Sequence, residues 1–327
     1  MPHIPDWARA HGPPVFGGQI RQTPDDFVVD ERLTIEFEDA GEHDWLRVRK
    51  TGANTHWVAE QLARHASIPV RDVGYAGLKD RHAVTSQWFS VRRRPGTQTD
   101  WDSFGADCVE ILERRAHSRK LKRGAHRGNQ FRIAIRGADV LPMRGAIEHR
   151  LALMDAQGVP NYFGEQRFGR NGANIELGRA VTDGRRVSRH RRSIGISAIR
   201  SFHFNESLSA RVSDGTWNVL VPGDVANLDG SGSVFVVDQV TADLEQRCED
   251  MDIHPCGSLP GIDSLGVRTA SRPLRMRVPD LEWKLEDGVL WLSFKLGKGS
   301  YATAVLRELV ALEQDVNRAG PAIDLPR

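Results

Sequence analysis

The sequence predicts a mixed α+β protein with two domains. The first 150 residues alternate between short strand-like and helix-like segments. After Pro160 the composition changes, and glycine, asparagine and arginine become frequent. A chain of 327 residues is also long enough for two domains, since hydrophobic cores tend to divide beyond about 250–300 residues.

Three segments near the N-terminus show clear secondary-structure patterns. Strand-forming residues occupy Phe27 to Val29 and again Trp45 to Val48. Apolar residues at helical spacing then predict a helix that runs to about His65, with Asn54 or Thr55 as its N-terminal cap.

Two predicted strands flank a charged turn. The segment from Val73 to Gly77 is short and apolar, and Gln87 to Val91 predicts the next strand. The turn between them, Leu78 to His82, places Asp80 on a loop, where catalytic side chains often sit on a rigid scaffold. Phe131 to Ile135 alternates apolar and polar residues, as a half-buried strand does.

The second half of the chain predicts both helices and strands. A helix is expected from Arg144 to Ala156, followed by a β-rich stretch over 218–238. Leu281 to Leu296 predicts a hairpin that turns near Gly288, and Ala302 to Leu312 predicts an amphipathic helix.

The composition is typical of a globular enzyme, with 39% hydrophobic and 27% charged residues. No apolar run approaches the roughly 20 residues of a membrane span, and the N-terminus lacks the apolar core of a signal peptide. We therefore expect a cytoplasmic protein. Cys108, Cys248 and Cys256 cannot form an even disulfide framework, and no two of them have the spacing of a zinc or redox motif.

The net charge of +2 conceals a strong separation of charges along the chain. Nine carboxylates fall within residues 25–44, whereas residues 114–127 and 185–192 are rich in arginine and lysine. Arg92, Arg93 and Arg94 add a third basic group. Each block alone is compatible with a solvated surface, but together they favour a polyanionic partner such as nucleic acid.

Several common cofactor and catalytic motifs are missing. Gly297 to Ser300 lacks the remainder of a Walker phosphate loop, and no glycine-rich dinucleotide motif opens a helix. The sequence contains no HExxH pattern for zinc, and Ser197 lacks the glycines of a nucleophile elbow. We expect an enzyme that uses side chains alone, with no cofactor and no metal.

The most informative segment surrounds Asp80. It combines small residues at Gly74 and Gly77 with an aspartate between Lys79 and Arg81. The small residues allow close backbone approach, and the cations can hold phosphates. An aspartate in a phosphate-binding cleft can act as a nucleophile or as a base. A surface turn with an ordinary ion pair is the alternative that spacing alone favours.

The segment Gly77-Leu-Lys-Asp-Arg-His-Ala-Val-Thr resembles the catalytic motif of the tRNA pseudouridine synthase D (TruD) family. The resemblance extends along nearly the whole chain through four further motif regions: Thr23 to Val29, Arg119 to Gly124 with Gly128 to Phe131, Gly158 to Gly169, and Gly299 to Thr303. Several motifs in the same order are far more specific than any one of them.

The resemblance implies a discontinuous catalytic domain with a mostly antiparallel mixed sheet, formed by residues 1–154 and 275–327. An inserted family-specific α/β domain would span 155–274, and the basic segments would line a cleft for RNA. It also implies an isomerase that breaks the bond from ribose to N1 of uracil and rejoins the base through C5. The family typically modifies uridine 13 in the D-arm of tRNA, often the glutamate acceptor.

By the same resemblance Asp80 is the catalytic residue, either as a nucleophile or as a base that removes a ribose proton. The substrate-binding residues would be Phe27, Asn129, Phe131, Tyr301 and Arg21. Arg21 stands where the family often has lysine, and Tyr301 stands where it has phenylalanine. Phe27 and Phe131 are equally compatible with plain core aromatics. The predicted RNA-binding residues are Lys79, Arg81, His82, Arg119, Lys120, Lys122 and Arg123.

Two other functions fit parts of the sequence. A non-catalytic RNA-binding protein would keep the basic cleft without needing Asp80. A metal-dependent nuclease would need several acids at one site, which residues 25–44 contain. The synthase accounts for more of the chain, with tRNA as partner, no membrane, no obligate protein partner and a monomeric state. The segment Asn161 to Gly169 is assigned only a structural role.

Overall fold

A computed structural model describes residues 4–313. These residues contain six α-helices: α1 (Thr55–His65), α2 (Arg144–Gln157), α3 (Ala173–Thr182), α4 (Arg189–Ser213), α5 (Ala242–Glu249) and α6 (Ala302–Leu306). They also contain sixteen strands: β1 (Phe16–Gly18), β2 (Phe27–Arg32), β3 (His43–Thr51), β4 (Val73–Tyr75), β5 (Val84–Arg92), β6 (Val109–His117), β7 (Gly128–Arg136), β8 (Val159–Pro160), β9 (Val225–Leu228), β10 (Val234–Val236), β11 (Ile253–Leu259), β12 (Ala270–Pro273), β13 (Arg275–Met276), β14 (Glu282–Glu286), β15 (Val289–Gly297) and β16 (Val310–Leu312).

The described residues divide into two compact units. The large-sheet unit comprises residues 15–144, 282–298 and 310–313, and the small-sheet unit comprises 4–14, 145–281 and 299–309. Both units are therefore discontinuous in sequence. The predicted insertion, 155–274, falls inside the longest segment of the small-sheet unit, and its role as a family-specific domain stays a prediction.

The large-sheet unit contains an eight-stranded mixed sheet. Seven strands follow the order β14-β15-β7-β2-β5-β3-β6, and β4 pairs with β5. All neighbouring strands run antiparallel except β2 and β5, which run parallel. The predicted mixed α+β fold with a mostly antiparallel sheet is confirmed.

Helix α1 packs on the part of the sheet formed by β3, β4 and β5. Val58 and Leu62, four residues apart on one helical face, are fully buried against Leu46 and Phe89. The predicted helix is confirmed at both ends. Asn54 is its N-terminal cap residue by position, but its side chain makes no capping hydrogen bond.

The predicted hairpin is formed by β14 and β15. Asp287 and Gly288 both adopt positive φ angles, 50° and 74°, as a tight two-residue hairpin turn requires. Strand β15 then pairs along its full length with β7, from Val289 opposite Arg136 to Gly297 opposite Gly128. This pairing joins a late segment of the chain to the centre of the sheet.

The small-sheet unit combines helices with a four-stranded antiparallel sheet of order β10-β9-β11-β12. Helices α3 and α4 cross where Gly178 meets Gly195, and a Cβ atom on Gly178 would lie 2.4 Å from the Gly195 carbonyl oxygen. The sequence analysis predicted neither helix. The basic stretch 189–192 forms the first turn of α4, and Ser188 caps it by accepting a hydrogen bond from the Arg191 amide.

One predicted helix is wrong in its length. The helix expected from Ala302 to Leu312 ends at Leu306, and Val310–Leu312 forms strand β16, parallel to β1. Arginine side chains supply hydrogen bonds to the carbonyl groups of Arg307 and Glu308, which replace the next helical turn. The β-rich prediction for 218–238 is confirmed only as the two short strands β9 and β10.

Within residues 4–313, no helix combines the length and the apolar character that crossing a membrane requires.

Candidate active site

Asp80 lies on the loop between β4 and β5, four residues before β5 begins. Its side chain is 42% exposed, and its Oδ2 atom accepts a hydrogen bond of 2.9 Å from Nη2 of Arg21. The Arg21 side chain is largely buried, so it presents a fixed positive charge to a carboxylate that solvent or substrate can still reach. Arg21, one of the predicted substrate-binding residues, is thus paired with Asp80.

Strand register puts four side chains next to Asp80's loop on one face of the large sheet. Phe27 and Glu31 are four residues apart on β2 and therefore point the same way. Glu31 lies opposite Asn129 of β7, and Phe131 follows Asn129 by two residues. Residues paired across strands share a face, so the predicted Phe27, Asn129 and Phe131 lie on one surface with Glu31.

The same face continues across β5 and β3. Thr85 of β5 lies opposite Val29 of β2 on one side and opposite Lys50 of β3 on the other. Gln87 follows Thr85 by two residues and points the same way. All three polar residues, Thr85, Lys50 and Gln87, are buried. The sheet therefore offers a row of polar groups where an ordinary core would be apolar.

The loop that carries Asp80 is hydrogen-bonded to this row. Gln87 Nε2 donates to the carbonyl of Gly77 at 3.1 Å, and Thr55 Oγ1 accepts from the Lys79 amide at 3.0 Å. Lys50 Nζ donates to the carbonyl of Asp80 itself at 2.7 Å. Buried side chains therefore hold the loop backbone at Gly77, Lys79 and Asp80 itself.

Lys79, one of the predicted RNA-binding residues, is paired with Glu31 inside the protein. Its Nζ atom lies 2.8 Å from Oε2 of Glu31, and the two side chains are 5% and 0% exposed. Glu31 also accepts a hydrogen bond from the Trp88 amide. The pair joins the Asp80 loop to β2, and its burial argues against a phosphate contact, although RNA binding by Lys79 stays a prediction. Its sequence position beside Asp80 does not reveal this, because burial depends on β2.

Lys50 is the most deeply buried cation of the site, with 1% of its surface exposed. Burial lowers the pKa of its ammonium from 10.5 to about 8, and the nearby Asp80 carboxylate partly opposes this shift. At neutral pH the side chain is still protonated. It therefore places a positive charge directly beneath the Asp80 backbone.

Arg21 also joins Asp80 to the predicted aromatic pair. Its guanidinium carbon lies 3.8 Å from the centre of the Phe27 ring, a close cation–π contact. Phe27 in turn meets Phe131 edge to face, with ring centres 6.2 Å apart. The two rings are only 2% and 8% exposed, so they form the floor of the site and expose little ring surface to a bound base.

Two buried acceptors on the same face have no partner among the described residues. Asn129 Oδ1 and Thr85 Oγ1 are both inaccessible to solvent and make no hydrogen bond. Buried polar atoms are nearly always paired in folded proteins, and exceptions often mark positions that a ligand completes. Asn129 Oδ1 is an acceptor that an N–H group of a bound base can satisfy.

His126 is a further residue beside the Asp80 loop. A Cβ atom on Gly77 would lie 3.3 Å from its Cε1 atom, and its buried Nδ1 has no partner among residues 4–313. Burial, followed by the charge of Lys79, lowers the pKa of the imidazole. The ring is therefore neutral at physiological pH, with one nitrogen able to accept a hydrogen bond.

Tyr301, the remaining predicted substrate-binding residue, belongs to the small-sheet unit. Its hydroxyl accepts a hydrogen bond of 2.6 Å from Nη2 of Arg167, and its ring centre lies 6.0 Å from that of Phe163. The guanidinium carbon of Arg272 lies 4.1 Å from the centre of the Phe163 ring, and Arg272 also donates a hydrogen bond to the Asn161 carbonyl. The segment Asn161 to Gly169 thus contacts Tyr301 through one hydrogen bond and one aromatic ring.

The other predicted RNA-binding residues are exposed on the large-sheet unit. Arg81 and His82 lie on the Asp80 loop, where Arg81 donates to the Gly52 carbonyl at 3.3 Å. The remaining cations lie on the segment between β6 and β7: Arg119, Lys120, Lys122 and Arg123.

The acidic segment does not form the cluster that a metal-dependent nuclease needs. Its carboxylates pair with separate arginines along the sheet: Asp26 with Arg136, Asp39 with Arg115, and Asp44 with Arg93. In the part of the chain that the structure describes, no three His, Cys, Asp or Glu side chains converge as metal ligands. These three acids are paired at separate places, and the specific observation that supported the nuclease alternative is lost.

The sequence analysis missed Lys50, Glu31, Thr55 and Gln87. A usable signal existed for two of them, since Leu46, Val48 and Lys50 share one period-two pattern and so do Phe27, Val29 and Glu31. A charged residue at the inward position of such a pattern predicts either a buried ion pair or a functional site. Thr55 and Gln87 gave no comparable signal, because both types are common at helix starts and in strands.

Comparisons with known proteins identify the family of the chain. Residues 9–187 and 262–309 match the family model described as tRNA pseudouridine synthase D (TruD). A tRNA pseudouridine synthase D of Methylococcus capsulatus is 43% identical, over 95% of this chain and 96% of the relative. Another, of Psychrobacter arcticus, is 38% identical, over 91% of each chain.

The fold is also similar to a solved structure, a putative tRNA pseudouridine synthase D of Methanosarcina mazei. The TM-score is 0.71 at 20% identity, over 94% of this chain and 95% of the other. The match of the family model to most of the chain, together with relatives of about 40% identity over nearly its full length, leads to one conclusion: the chain belongs to the tRNA pseudouridine synthase D family.

Proposed function

We propose that this protein converts a uridine of tRNA into pseudouridine and that Asp80 is its catalytic residue. The observation that carries the proposal is the setting of Asp80: its carboxylate is accessible and paired with Arg21, while Lys50 holds its carbonyl. A catalytic group must be reachable at its reacting atom and fixed everywhere else, and this side chain meets both conditions.

The reaction is an isomerisation. The bond between ribose C1′ and uracil N1 breaks, the base turns, and C1′ bonds to C5, whose proton is transferred to the released nitrogen. Product and substrate are isomers, since the proton lost from C5 is balanced by the proton gained at N1, so side chains can perform each step. Asp80 acts either as a nucleophile or as the base that removes a ribose proton, and its position next to Arg21 is compatible with both routes.

The residues around Asp80 support binding of a base that has left its stack. Asn129 Oδ1 is an unpaired buried acceptor and is suited to the N3–H donor of uracil. The edge-to-face pair of Phe27 and Phe131 gives that position an apolar floor. Such contacts offset the few kcal/mol that removing a base from its stack costs.

The proposed target is uridine 13 in the D-arm, with the glutamate acceptor tRNA as the first substrate to test. The proposal also includes a monomeric enzyme that works in the cytoplasm without a protein partner. Size-exclusion chromatography with light scattering tests the monomer, independently of activity.

The experiment is pseudouridine mapping on unmodified tRNA transcripts by carbodiimide labelling and primer extension, with EDTA present. Wild-type protein should produce a new stop at uridine 13, and Asp80→Asn should produce none. Asp102→Asn, which changes another exposed carboxylate of the same unit, is the matched control and should behave as wild type.

Three outcomes contradict parts of the proposal. Tight tRNA binding without any pseudouridine favours a non-catalytic RNA-binding protein. A primer-extension stop at another uridine contradicts the proposed target but supports the proposed reaction. Full activity of Asp80→Asn removes Asp80 from the mechanism.

A further inference from the structure

A concave site on the large-sheet unit includes three of the predicted RNA-binding residues, Lys120, Lys122 and Arg123, and none of the residues that contact Asp80. We call it the basic pocket and define it by His56, Arg71, Tyr75, Lys120, Lys122 and Arg123. Its volume is about 430 Å³, which is within the range of about 300–1,000 Å³ typical of small-ligand sites.

The charge of the basic pocket is strongly positive. Arg71, Lys120, Lys122 and Arg123 are all exposed, and within residues 4–313 none of them forms an ion pair with a carboxylate. Elsewhere in this unit, arginines such as Arg93, Arg115 and Arg136 do have carboxylate partners. Four unpaired cations around one cavity repel one another, and an anion bound among them relieves that repulsion.

The walls of the basic pocket are fixed to each other. A Cβ atom on Gly74 would lie 2.4 Å from the Leu121 carbonyl oxygen, so only glycine permits the observed approach of the two segments. The Leu121 amide donates to Ser90 Oγ at 2.8 Å, and the Lys120 ammonium donates to the Arg71 carbonyl. The cations therefore extend from a rigid backbone.

The pocket also contains a flat surface. The guanidinium carbon of Arg123 lies 3.7 Å from the centre of the Tyr75 ring, so the guanidinium is stacked on the ring. Tyr75 itself is buried, whereas Arg123 is exposed. An exposed guanidinium held flat by an aromatic ring is a platform on which unpaired RNA bases stack.

We propose that the basic pocket binds one unpaired nucleotide of the substrate RNA, outside the site around Asp80. Arg71, Lys120 and Lys122 contact its phosphate, and the base stacks on Arg123. The inference rests on the proposed function, because it assigns the pocket to the same tRNA. A phosphate alone would explain the cations, but the stacked Arg123 favours a nucleotide.

Binding of a labelled tRNA transcript as a function of salt concentration tests the pocket. Arg71→Ala and Lys122→Ala should each raise Kd about tenfold at moderate salt. Each should also reduce the slope of log K against log salt by about 0.7–0.9, the value for one lost phosphate contact. Arg123→Lys keeps the positive charge but removes the planar guanidinium on which the base stacks. It should therefore raise Kd about tenfold and leave the salt slope unchanged.

Arg132→Ala is the matched control. Arg132 is also exposed and lies over an aromatic ring, Trp291, at 5.2 Å, but it is not part of the basic pocket. Its removal should change Kd by less than twofold. Far-UV circular dichroism and urea unfolding should match wild type for all four variants, since each changed side chain is exposed.

Several results overturn the inference. The inference is wrong if Arg71→Ala and Lys122→Ala bind tRNA with the Kd and salt slope of wild type. It is also wrong if Arg132→Ala loses as much affinity as they do, because such a loss indicates a general electrostatic attraction. Micromolar binding of free uridine monophosphate that Arg71→Ala abolishes assigns the pocket to a free nucleotide instead. Failure of the proposed function gives a different result. If the protein forms no pseudouridine but the pocket variants still lose tRNA affinity selectively, the pocket remains an RNA-binding site.

Discussion

The ammonium of Lys50 donates a hydrogen bond of 2.7 Å to the backbone carbonyl of Asp80 from a position that is almost fully buried. Lys50 lies on β3, and Asp80 lies on the loop before β5, so the contact joins two segments thirty residues apart. The carboxylate of Asp80 remains free to contact Arg21 and substrate. Lys50 is therefore a positioning residue in the proposed site.

Lys50→Met should lower the rate of pseudouridine formation by about 10–100-fold, since a displacement of about 1 Å at a reacting group can cost about a hundredfold in rate. The fold should persist, because methionine fills a similar volume and removes a buried charge. Single-turnover rates and circular dichroism measure the two effects. Wild-type rates in a folded Lys50→Met variant would exclude the positioning role.

The lowered pKa of Lys50 also gives a pH dependence. The folded protein releases this proton near pH 8, whereas the unfolded chain keeps it to about pH 10.5. Between these values the unfolded state binds more protons, so this group makes the free energy of unfolding rise with pH. The titratable groups that act on it are Asp80, Lys79 and Cys108.

Activity should change in the opposite direction over the same range. Above about pH 8 the charge beneath Asp80 is lost, so kcat/KM should fall with an apparent pKa near 8. Lys50→Met should lack this alkaline limb and should also lose the matching rise in stability. An unchanged pH profile in the variant would assign the limb to another group.

Arg21 should be replaceable by lysine but not by an uncharged residue. Arg21→Lys keeps a cation for Asp80 and should retain activity within about tenfold, whereas Arg21→Met should lose about a hundredfold or more. The smaller loss of activity expected for Arg21→Lys comes from the missing stacked contact with Phe27. Arg49→Met removes an exposed arginine paired with Glu110 and serves as control in the same assay.

The Glu31–Lys79 pair should affect stability more than RNA binding. Removing one partner leaves a buried unpaired charge, so Glu31→Gln or Lys79→Met should each lower stability by about 3–5 kcal/mol, and the double variant should lose less. Hydrogen exchange of β2 amides measures the change locally. If Lys79→Met is fully stable but binds tRNA with a reduced salt slope, the original RNA-binding prediction is right.

Tyr301→Phe should test whether the hydroxyl or the ring matters. The variant loses the hydrogen bond from Arg167, which should lower stability by about 1.5–3 kcal/mol because the donor is charged. The rate at saturating tRNA should stay within about twofold of wild type if the ring alone contacts substrate. Tyr301→Ala should lose much more, and equal losses in both variants would point to the hydroxyl instead.

Some elements could be predicted because their signals are local. The hairpin β14–β15 followed from alternating residues around Asp287 and Gly288, and α1 followed from apolar residues three and four apart. The end of α6 could not be predicted, because the carbonyl partners of Arg307 and Glu308 come from distant arginines. Helix α4 was missed although buried positions such as Ala198 and Leu208 lie on its inner side, since its first turn is strongly basic.

The candidate site divides in the same way. Its motif identified Asp80, Arg21 and Asn129 as candidates, but local sequence treats Lys79 and Arg81 alike as cations beside an acid. The fold separates them: Lys79 is buried against Glu31, while Arg81 remains on the surface. Only the pairing of β2, β5 and β3 shows which charges become neutralised in the interior.

The sequence by itself determined the mixed α+β class, the family motifs and the position of Asp80 on a loop between two strands. These features follow from residue types and short spacings, because residue types determine local backbone preferences and the chemical groups that are present. The tertiary structure alone decided that Lys50 supports Asp80, that Lys79 is buried against Glu31, and that Arg71 joins Lys122 and Arg123 in a pocket. Each of these features requires contact between strands or loops that are far apart in the chain. Burial at such a contact determines whether a side chain stays charged and whether a ligand can reach it.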